Sequence, residues 1–226
     1  RERGRDRTQR ELGQERSRRT RGGHVRRLVA LVDPAARLRY RLRTVTVYSC
    51  TVCGTVYLWP LPSEEAIRVT FAELYQGSAS MLPELQGYYD YCFDDSPTNP
   101  LVQTYEHWLT AVERYCPPGR LLDVGCGTGL FLAVARRRGW RVTGVDASED
   151  ATRYARERFA LGVQTGDFTA VAERGDRFDA VTMWDIIEHA REPVRLLAAA
   201  RQALVPGGVL GLSTPNQRSI LDVVAG

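Results

Sequence analysis

The sequence lacks lysine, contains only two methionines and five cysteines, and has no long apolar run. Five cysteines at uneven spacing do not match the even framework of a disulfide-rich secreted domain, and they suit a reducing compartment. A membrane span needs roughly 18 to 20 apolar residues in succession, which this sequence does not contain. The first residues also lack the apolar core of a signal peptide. We therefore expect a cytoplasmic protein without a membrane span.

All 31 basic residues are arginine, and their distribution is uneven. Residues 1–43 hold 15 arginines and 5 acidic residues, a formal charge of +10, whereas residues 44–226 hold 16 arginines and 22 acidic residues, a charge of −6. An acidic body disfavours a phosphate backbone as ligand, so nucleic acid is not the expected substrate. Residues 1–38 are predicted to be an Arg-rich, disordered tail, with a nucleic-acid-binding arm as the alternative.

Two further segments follow the tail. Residues 39–97 begin with strand-like alternation up to Trp59, continue with a Pro-bounded turn in which Ser63 caps a short helix, and end in a loop rich in aromatic residues. Residues 98–226 start with a helix at Leu101–Val112 and then alternate between strands and helices. Such alternation predicts an α/β domain with a doubly wound, mostly parallel sheet, preceded by a small N-terminal extension.

The pattern of residues 120–215 predicts five strands and three long helices. A strand is recognised by a short apolar run, and a helix by its longer apolar periodicity together with a cap such as Ser148 or a terminating Gly139. The predicted strands are RLLDVG, WRVTGVD, VQTGDF, FDAVTMWD and VLGLSTP, and the predicted helices are LFLAVARRRG, SEDATRYARERFA and EPVRLLAAARQALVPGG.

The run LLDVGCGTG at residues 121–129 carries the strongest functional signal. Gly125, Gly127 and Gly129 are predicted to form a tight turn between a strand and a helix, at the carboxyl edge where open α/β sheets bind ligands. Glycine allows the backbone to approach a ligand closely, and the start of a helix attracts a carboxylate. The spacing GxGxG, followed by Leu130, differs from the GxGxxG of nicotinamide-binding enzymes, so that class is disfavoured.

Acidic residues lie at the ends of three successive predicted strands. Asp146 can accept hydrogen bonds from both hydroxyls of a ribose. Asp167 and Phe168 place an acceptor and an aromatic face where an adenine would lie, and Asp123 suits a cationic ammonium group. Because these loops contain no arginine, a cationic ligand is favoured over a polyphosphate. The alternative is that the three aspartates only cap helices.

The motifs DVGCGTG, VDAS, GDF, FDAVTMWDIIEH and LVPGGVLGLSTPN occur in this order over about residues 98–217. This part of the chain resembles the class I S-adenosylmethionine-dependent methyltransferases, and specifically their ubiquinone-biosynthesis O-methyltransferase-like branch. The resemblance implies a Rossmann-like sheet of strand order 3-2-1-4-5, with Asp146 at the ribose, Asp167 and Phe168 at the adenine and Trp184 over the cofactor. The implied cofactor-binding set is Asp123, Gly125, Cys126, Gly127, Gly129, Asp146, Ala147, Ser148, Asp167, Phe168 and Trp184.

The same resemblance implies methyl transfer to a small-molecule acceptor, with a hydroxyl oxygen as the leading expectation. N- or C-methylation of a natural-product intermediate and an inactive cofactor-binding fragment are the alternatives. In the resembling quinone O-methyltransferases, an acidic residue followed after two residues by Glu and His can hold a divalent cation, and Asp185, Glu188 and His189 match that spacing. A magnesium ion there would lower the pKa of a bound catechol hydroxyl. His189 is also the candidate general base, or else Glu188 and His189 only shape a turn.

Cys50 and Cys53, in YSCTVCG, resemble one knuckle of the zinc ribbon that precedes the catalytic domain in many relatives of this branch. A structural zinc requires four ligands, and residues 1–49 contain no cysteine and only the single candidate His24. We therefore expect a degenerate ribbon in place of a zinc site.

Two expectations concern the segments on either side of the predicted domain. Methyltransferases of this class usually complete seven strands, whereas this sequence stops at ILDVVAG, soon after the fifth. The final hairpin is expected to be missing from a C-terminally truncated chain, leaving the fifth strand as an exposed edge through which two copies would dimerise.

The aromatic residues before the domain are predicted either to form a lid over the acceptor or to pack the N-terminal segment onto the sheet; they are Tyr88, Tyr89, Tyr91 and Phe93.

Overall fold

The computed structural model describes residues 35–41, 46–63, 65–67 and 90–215, and the chain divides into two units, residues 1–64 and 65–226. Most of the predicted Arg-rich tail, two of the predicted lid residues (Tyr88 and Tyr89), most of the helix expected after Ser63 and the end of the chain lie outside the described residues. In the part that is described, no helix has both the length and the apolar character needed to cross a membrane.

The described part of the N-terminal unit contains an antiparallel sheet of three strands in the order β1-β2-β3. The strands are β1 (Ala36–Arg41), β2 (Thr46–Cys50) and β3 (Val56–Trp59). Tyr48 of β2 is buried and lies opposite Tyr57 of β3, with the ring centroids 6.1 Å apart. Strand β1 begins within residues 36–38, which the sequence pattern assigns to the tail.

The larger unit alternates strands and helices as the sequence predicts. Its sheet is parallel and has the order β6-β5-β4-β7-β8, which is 3-2-1-4-5 when the strands of this unit are counted from its start. The predicted α/β class and strand order are therefore confirmed. The elements are α1 (Pro100–Glu113), β4 (Arg120–Val124), α2 (Leu130–Arg137), β5 (Arg141–Asp146), α3 (Glu149–Phe159), β6 (Val163–Thr165), α4 (Phe168–Glu173), β7 (Phe178–Trp184), α5 (Pro193–Ala203) and β8 (Leu204–Ser213).

Strand β4 lies at the centre of this sheet and is buried on both faces. Because successive side chains of a strand point to opposite faces, Leu121 joins a cluster with α1, α2 and α3, while Leu122 joins a second cluster with α4 and α5. Both leucines are fully buried. Helices thus cover both faces, and the carboxyl edge of the sheet remains the place where loops can form a site.

Two element boundaries differ from the sequence prediction. The sequence pattern predicts one strand over residues 163–168, but β6 ends at Thr165 and Asp167 instead caps the short helix α4, accepting a hydrogen bond from the N–H of Thr169. It also predicts a last helix that extends to Gly208, but α5 ends at Ala203 and Leu204 already pairs with Phe178 of β7. Pairing with a neighbouring strand, which local periodicity does not reveal, decides where this helix ends.

Candidate cofactor site

The glycine turn, residues 125–129, connects β4 to α2 and depends on glycine at three positions. Gly125, Gly127 and Gly129 have φ values of 73°, 50° and 79°, in the left-handed region that L side chains rarely adopt. The N–H groups of Gly125 and Cys126 both donate to the carbonyl oxygen of Val145, at 2.8 and 3.1 Å, so the turn is bound to the end of β5. A Cβ at Gly129 would lie 2.7 Å from Leu161 Cδ1, so packing as well as backbone geometry requires glycine there.

Asp146, the last residue of β5, binds the glycine turn through its side chain. Its Oδ2 accepts a hydrogen bond from the N–H of Gly127 at 2.8 Å, and its Oδ1 accepts one from the N–H of Ser148, also at 2.8 Å. Burial raises the pKa of Asp146, and these two hydrogen bonds oppose that rise. Ser148 is itself the N-cap of α3, as predicted, accepting from the N–H of Ala151. The carboxylate of Asp146 therefore lies between the turn and the start of α3.

A second carboxyl group, that of Asp123, is buried beside the turn with 2% of the residue exposed. Thr182 lies opposite Asp123 in the sheet register, and its hydroxyl donates to Asp123 Oδ1 at 2.7 Å. Burial raises the pKa of Asp123 to about 8, and the neighbouring charge of Asp146 adds to that rise. Neither carboxylate forms an ion pair with any residue that the structure describes. The edge of β4 and β5 thus holds two neighbouring carboxyl groups whose ionised form a cationic ligand would stabilise.

Cys126 belongs to the interior of the turn. Its residue is 7% exposed, and a Cβ added at Gly144 would lie 2.7 Å from its Sγ, so the thiol packs against β5. Burial raises the pKa of this thiol well above its ordinary value. The carbonyl of Cys126 accepts from the N–H of Gly129. The side chain of Cys126 thus supports the turn from within the core, and the prediction that this residue contacts a cofactor concerns its backbone.

Asp167 and Phe168 follow β6, but only one of them presents its side chain at the edge. The carboxylate of Asp167 accepts from the backbone N–H of Thr169 at 3.0 Å and from its hydroxyl at 2.8 Å, which is the capping role that the sequence left open. Phe168 is 4% exposed and packs in the core below α4. Its ring therefore does not offer a face at the sheet edge, because the start of α4 turns it inward.

The end of β7 carries an aromatic cluster. The ring of Trp184 stacks on Trp108 of α1 with centroids 4.4 Å apart and an interplanar angle of 27°, and it meets Phe131 of α2 edge-on at 5.3 Å. Its Nε1 is buried and has no hydrogen-bond partner among the described residues. Trp184 thus presents an indole N–H that the described part of the protein does not satisfy, on the side of the sheet covered by α1 and α2.

Asp185, directly after β7, adopts a left-handed backbone conformation with φ of 54°, which is unusual for a residue other than glycine. Ser213, at the end of β8, donates its hydroxyl to Asp185 Oδ1 at 2.8 Å, and the N–H of Asp185 donates back to the Ser213 hydroxyl oxygen at 3.1 Å. The side chain of Asp185 is thereby tied to the neighbouring strand.

Glu188 and His189 lie on the 3₁₀ turn that follows, Ile187–His189, with His189 Nε2 at 3.9 Å from Glu188 Oε1. No three His, Cys, Asp or Glu side chains in the described ranges are grouped closely enough to hold a metal ion. The predicted magnesium set is not assembled, because the carboxylate of Asp185 is bound to Ser213 while the other two residues lie on the next turn. These residues do not fit a metal site in this structure.

Residues 90–99 form a strap that is fastened to the glycine turn. The hydroxyl of Thr128, inside the turn, donates to the carbonyl of Cys92 at 2.6 Å, and the hydroxyl of Tyr154 on α3 donates to the carbonyl of Phe93 at 3.3 Å. The ring of Phe93 packs edge-on against Tyr154, with centroids 4.9 Å apart. Of the four residues predicted as a lid, Phe93 therefore packs its segment onto the domain, whereas Tyr91 is 47% exposed.

A family model described as "Methyltransferase domain" matches residues 103–224, more than half of the chain and nearly all of the region that contains this site. The chain belongs to the methyltransferase domain family. The ubiquinone biosynthesis O-methyltransferase of Cereibacter sphaeroides is 39% identical over 103 residues, which cover 43% of this chain and 42% of that protein. The protein of the same name from Xanthomonas campestris pv. campestris is 36% identical over 136 residues, covering 54% and 55% of the two chains. This chain spans about half the length of the curated relatives it matches.

Solved structures resemble the methyltransferase domain as well. PH0226 from Pyrococcus horikoshii OT3 is 28% identical with a TM-score of 0.51, covering 61% of this chain and 66% of that one. CalS10 from Micromonospora echinaspora, an amino pentose methyltransferase involved in calicheamicin biosynthesis and solved with S-adenosylmethionine bound, is 26% identical with a TM-score of 0.50, covering 62% and 59%. The predicted Rossmann-like fold is thus confirmed.

Sequence reasoning missed three hydroxyl residues that position groups in this methyltransferase domain. Thr128 fastens the strap, Thr182 holds Asp123, and Ser213 holds Asp185. Two of them, Thr182 and Ser213, lie near the carboxyl ends of strands, which form the ligand-binding edge of open α/β sheets. Their position at the end of a predicted strand could have identified them from the sequence. The roles of the predicted cofactor-binding residues toward a ligand remain predictions.

Proposed function

We propose that this chain binds S-adenosylmethionine at the glycine turn and transfers its methyl group to a hydroxyl oxygen of a small-molecule acceptor in the cytoplasm. The observation that carries the proposal is the pair of carboxyl groups at the edge of β4 and β5, of which Asp123 is buried and Asp146 is half-buried. A buried carboxylate without an ion-pair partner is costly and favours a cationic ligand. S-adenosylmethionine carries such charge on its ammonium and sulfonium groups.

The residues of the edge fit this cofactor by their chemistry. Asp146 uses one lone pair of each oxygen for the N–H groups of Gly127 and Ser148, which leaves acceptor capacity for ribose hydroxyls. Asp123 supplies the negative charge for the ammonium group, and Asp167 supplies an acceptor for the adenine. When bound, the cofactor supplies a methyl group on a positively charged sulfur. The fixed turn holds that group in place so that an aligned acceptor reacts readily.

The acceptor is proposed to bind beside the end of β7. Trp108 and Trp184 present partly buried aromatic surface there, and the buried Nε1–H of Trp184, which has no partner among the described residues, is proposed to donate to an acceptor oxygen. A phenol has a pKa of about 10 and must lose its proton during methylation. We assign His189 as the general base, since its imidazole is nearly half exposed on the turn after β7. No step is assigned to a magnesium ion.

N-methylation of a sugar-like intermediate is the second candidate. The observation that favours it is the structural similarity to CalS10, the amino pentose methyltransferase, over 62% of this chain. A neutral amine already carries its lone pair and does not need a base as strongly as a phenol does. Replacement of His189 therefore separates the two candidates.

Isothermal titration with S-adenosylmethionine tests cofactor binding. Asp146→Ala removes the acceptor of two N–H groups as well as the proposed ribose contact, and we expect at least about a tenfold loss of affinity, equivalent to about 1.4 kcal/mol. Asp176→Ala is the matched control, because that aspartate is exposed and pairs with the exposed side chain of Arg120. Circular dichroism checks that both variants fold. Absence of binding by the unmodified chain, or equal affinity of the two variants, would contradict the proposal.

Turnover with a panel of catechols and amino sugars tests the acceptor, with S-adenosylhomocysteine formation as the readout. His189→Ala is expected to slow methylation of a catechol by about 10²-fold or more, as for loss of a general base. His107→Ala, an exposed histidine on α1, should leave the rate unchanged. Methylation of amines alone, with no effect of His189→Ala, would replace the O-methyltransferase assignment with the N-methyltransferase one.

A further inference from the structure

Asp123 and Thr182 form a buried pair inside the parallel sheet. They are register partners in the neighbouring strands β4 and β7, so their side chains lie on the same face of the sheet. Asp123 is 2% exposed and Thr182 is fully buried, and the hydroxyl of Thr182 donates to Asp123 Oδ1 at 2.7 Å. Because water has little access to this carboxyl group, its ionised form depends on partners that the protein or a ligand provides.

The hydroxyl of Thr182 has a second acceptor within reach, the carbonyl oxygen of Leu122 at 3.4 Å. A hydroxyl group has one proton to donate and lone pairs that accept, whereas an ionised carboxylate only accepts. When Asp123 is ionised, the hydroxyl must therefore donate to it. When Asp123 is protonated, its O–H can donate to the Thr182 oxygen, and the hydroxyl proton can point at Leu122 instead. Thr182 is thus able to serve as partner of the carboxyl group in both protonation states.

The other groups around Asp123 oppose its ionisation. Burial is the main cause that raises its pKa to about 8, and the charge of Asp146, at the end of the neighbouring strand β5, adds to that rise. The hydrogen bond from Thr182 acts in the opposite direction and lowers the pKa. The thiol of Cys126 in the glycine turn also lies near Asp123, but burial raises the pKa of this thiol well above its ordinary value, so it adds no charge near neutral pH. Among the described neighbours, Thr182 is the group that favours the carboxylate.

We propose that Thr182 is a positioning residue for the amino-acid portion of the cofactor, because its hydroxyl turns from Leu122 to Asp123 when the Asp123 carboxyl group loses its proton. The proposal rests on the assignment of Asp123 to the ammonium group under the proposed function. A bound ammonium group stabilises the carboxylate, the carboxyl proton leaves to solvent, and the hydroxyl of Thr182 donates to the charge that remains. Thr182 acts through Asp123 and gives the site a preference for ligands that carry an amino group.

Two neutral ligands with the same nucleoside separate this role from cofactor binding in general. S-adenosylhomocysteine carries the amino-acid portion, whereas 5′-methylthioadenosine has only a methyl group in its place. Both are titrated calorimetrically into the full chain at about pH 7, where an α-amino group is mostly protonated. Thr182→Val keeps the shape of the side chain and removes the hydroxyl. It should weaken binding of S-adenosylhomocysteine by about tenfold or more, as for a lost hydrogen bond to a charged group, and leave binding of 5′-methylthioadenosine unchanged.

Two further variants control for the fold. Thr182→Ser retains the hydroxyl and should bind S-adenosylhomocysteine as the unmodified chain does. Thr143→Val makes the same change in β5, where Thr143 is the register partner of Leu122 and so lies on the opposite face of the sheet from Asp123. This control should bind both ligands as the unmodified chain does.

Proton release provides a readout that a purely structural role of Thr182 would not change. Titrations in buffers of different ionisation enthalpy count the protons that leave on binding. At about pH 7, below the pKa of about 8 for Asp123, the unmodified chain should release most of one proton with S-adenosylhomocysteine and none with 5′-methylthioadenosine. Thr182→Val should release fewer protons, because the carboxylate in the complex has lost its donor.

Each contrary outcome identifies a different failure. Unchanged affinity and proton release in Thr182→Val would overturn the role of Thr182 and leave the proposed function standing. Equal losses for the two ligands would also overturn it, since Thr182 would then only support the fold of the site. No proton release by the unmodified chain would overturn it without any variant. If the unmodified chain binds neither S-adenosylmethionine nor S-adenosylhomocysteine, the proposed function fails and the role of Thr182 fails with it.

Discussion

The two halves of the carboxyl edge of the sheet differ in how far their polar groups are satisfied by the protein itself. At the ends of β4 and β5, Asp146 and Asp123 accept hydrogen bonds from the glycine turn, from α3 and from β7. At the end of β7, Asp185 holds a strained backbone conformation, and the buried N–H of Trp184 lacks a partner in the described part of the chain. In the first half the protein itself provides partners for both carboxyl groups, whereas the second half keeps a buried donor that has no partner among the described residues.

The largest expected effect is a loss of stability when the glycine turn, residues 125–129, is changed. Gly129→Val adds a side chain at a left-handed backbone position, which should destabilise the fold by about 1–2 kcal/mol. The new side chain would also clash with Leu161 and Ala155, which should cost about 1–3 kcal/mol more. The free energy of unfolding should therefore fall by about 3 kcal/mol. Gly207→Val on β8 is the matched control, since it has the same φ of 79° but no atom within 4 Å. Its expected cost is only about 1–2 kcal/mol. Urea unfolding followed by tryptophan fluorescence measures both, and equal costs would show that packing does not constrain the turn.

The next effect is the pH dependence of stability, which isolates Asp123. Between its ordinary pKa of 3.8 and the value of about 8 in the fold, the folded chain keeps a proton that the unfolded chain has released. Stability of the ligand-free chain should therefore fall as pH rises through this window, by up to about 1.4 kcal/mol per pH unit for this one group. Asp123→Asn keeps an acceptor for the hydroxyl of Thr182 but removes the titration.

Urea unfolding at several pH values compares the two chains. The advantage of Asp123→Asn over the unmodified chain should grow as pH rises through the window. If the unfolding free energies of the two chains change with pH in the same way, Asp123 has the ordinary pKa of an exposed carboxyl group, and the prediction is wrong. Cofactor affinity should show the opposite trend in the unmodified chain, because a cationic ligand favours the ionised carboxyl group and should bind more tightly as pH rises toward about 8.

A smaller effect concerns the tie between β7 and β8. Ser213→Ala removes the hydroxyl that donates to the carboxylate of Asp185, and the expected loss of unfolding free energy is about 1 kcal/mol. Ser96→Ala, in an exposed turn of the strap, is the control and should change stability by less than about 0.5 kcal/mol. Chemical denaturation measures both. A loss of several kcal/mol from Ser213→Ala would mean that the β7–β8 half is as tightly built as the glycine turn.

The smallest effect is the response of turnover to a chelator. Because the carboxylate of Asp185 is bound to Ser213, away from a common site with Glu188 and His189, methyl transfer should proceed at the same rate in EDTA. A rate that collapses in EDTA and returns with magnesium would restore the metal interpretation of these three residues.

Sequence reasoning predicted features that depend on local pattern. The alternation of strands and helices, the capping by Ser148 and the glycine spacing at residues 125–129 all follow from neighbours along the chain, and the structure contains each of them. The direction of the side chain of Phe168 does not follow from such patterns, because it depends on where β6 ends and α4 begins. The direction of the Cys126 side chain does not follow from the sequence either, because a turn has two sides and the sequence does not show which one faces the core.

The sequence predictions were wrong where contacts between residues far apart in the chain decide the structure. The turn of Asp185 toward Ser213 joins residues 28 positions apart, and the early end of α5 depends on pairing between β7 and β8. Neither contact leaves a periodic signature. The resemblance to quinone methyltransferases therefore suggested a metal set by spacing alone, while the arrangement of the side chains in space differs.

The hydrogen bonds that surround the glycine turn join residues far apart along the chain, and this determines when in folding the site can form. The separations are 19 residues for Gly127 and Asp146, 36 for Thr128 and Cys92, and 59 for Thr182 and Asp123. Contacts of long sequence separation form late, since the intervening loops must close first. Contacts that form late should also be among the first to open, so the hydrogen-bonded backbone amides of the turn should exchange with solvent deuterium through partial opening, before global unfolding. A chain still emerging from the ribosome should have no affinity for S-adenosylmethionine until β7 has been synthesised.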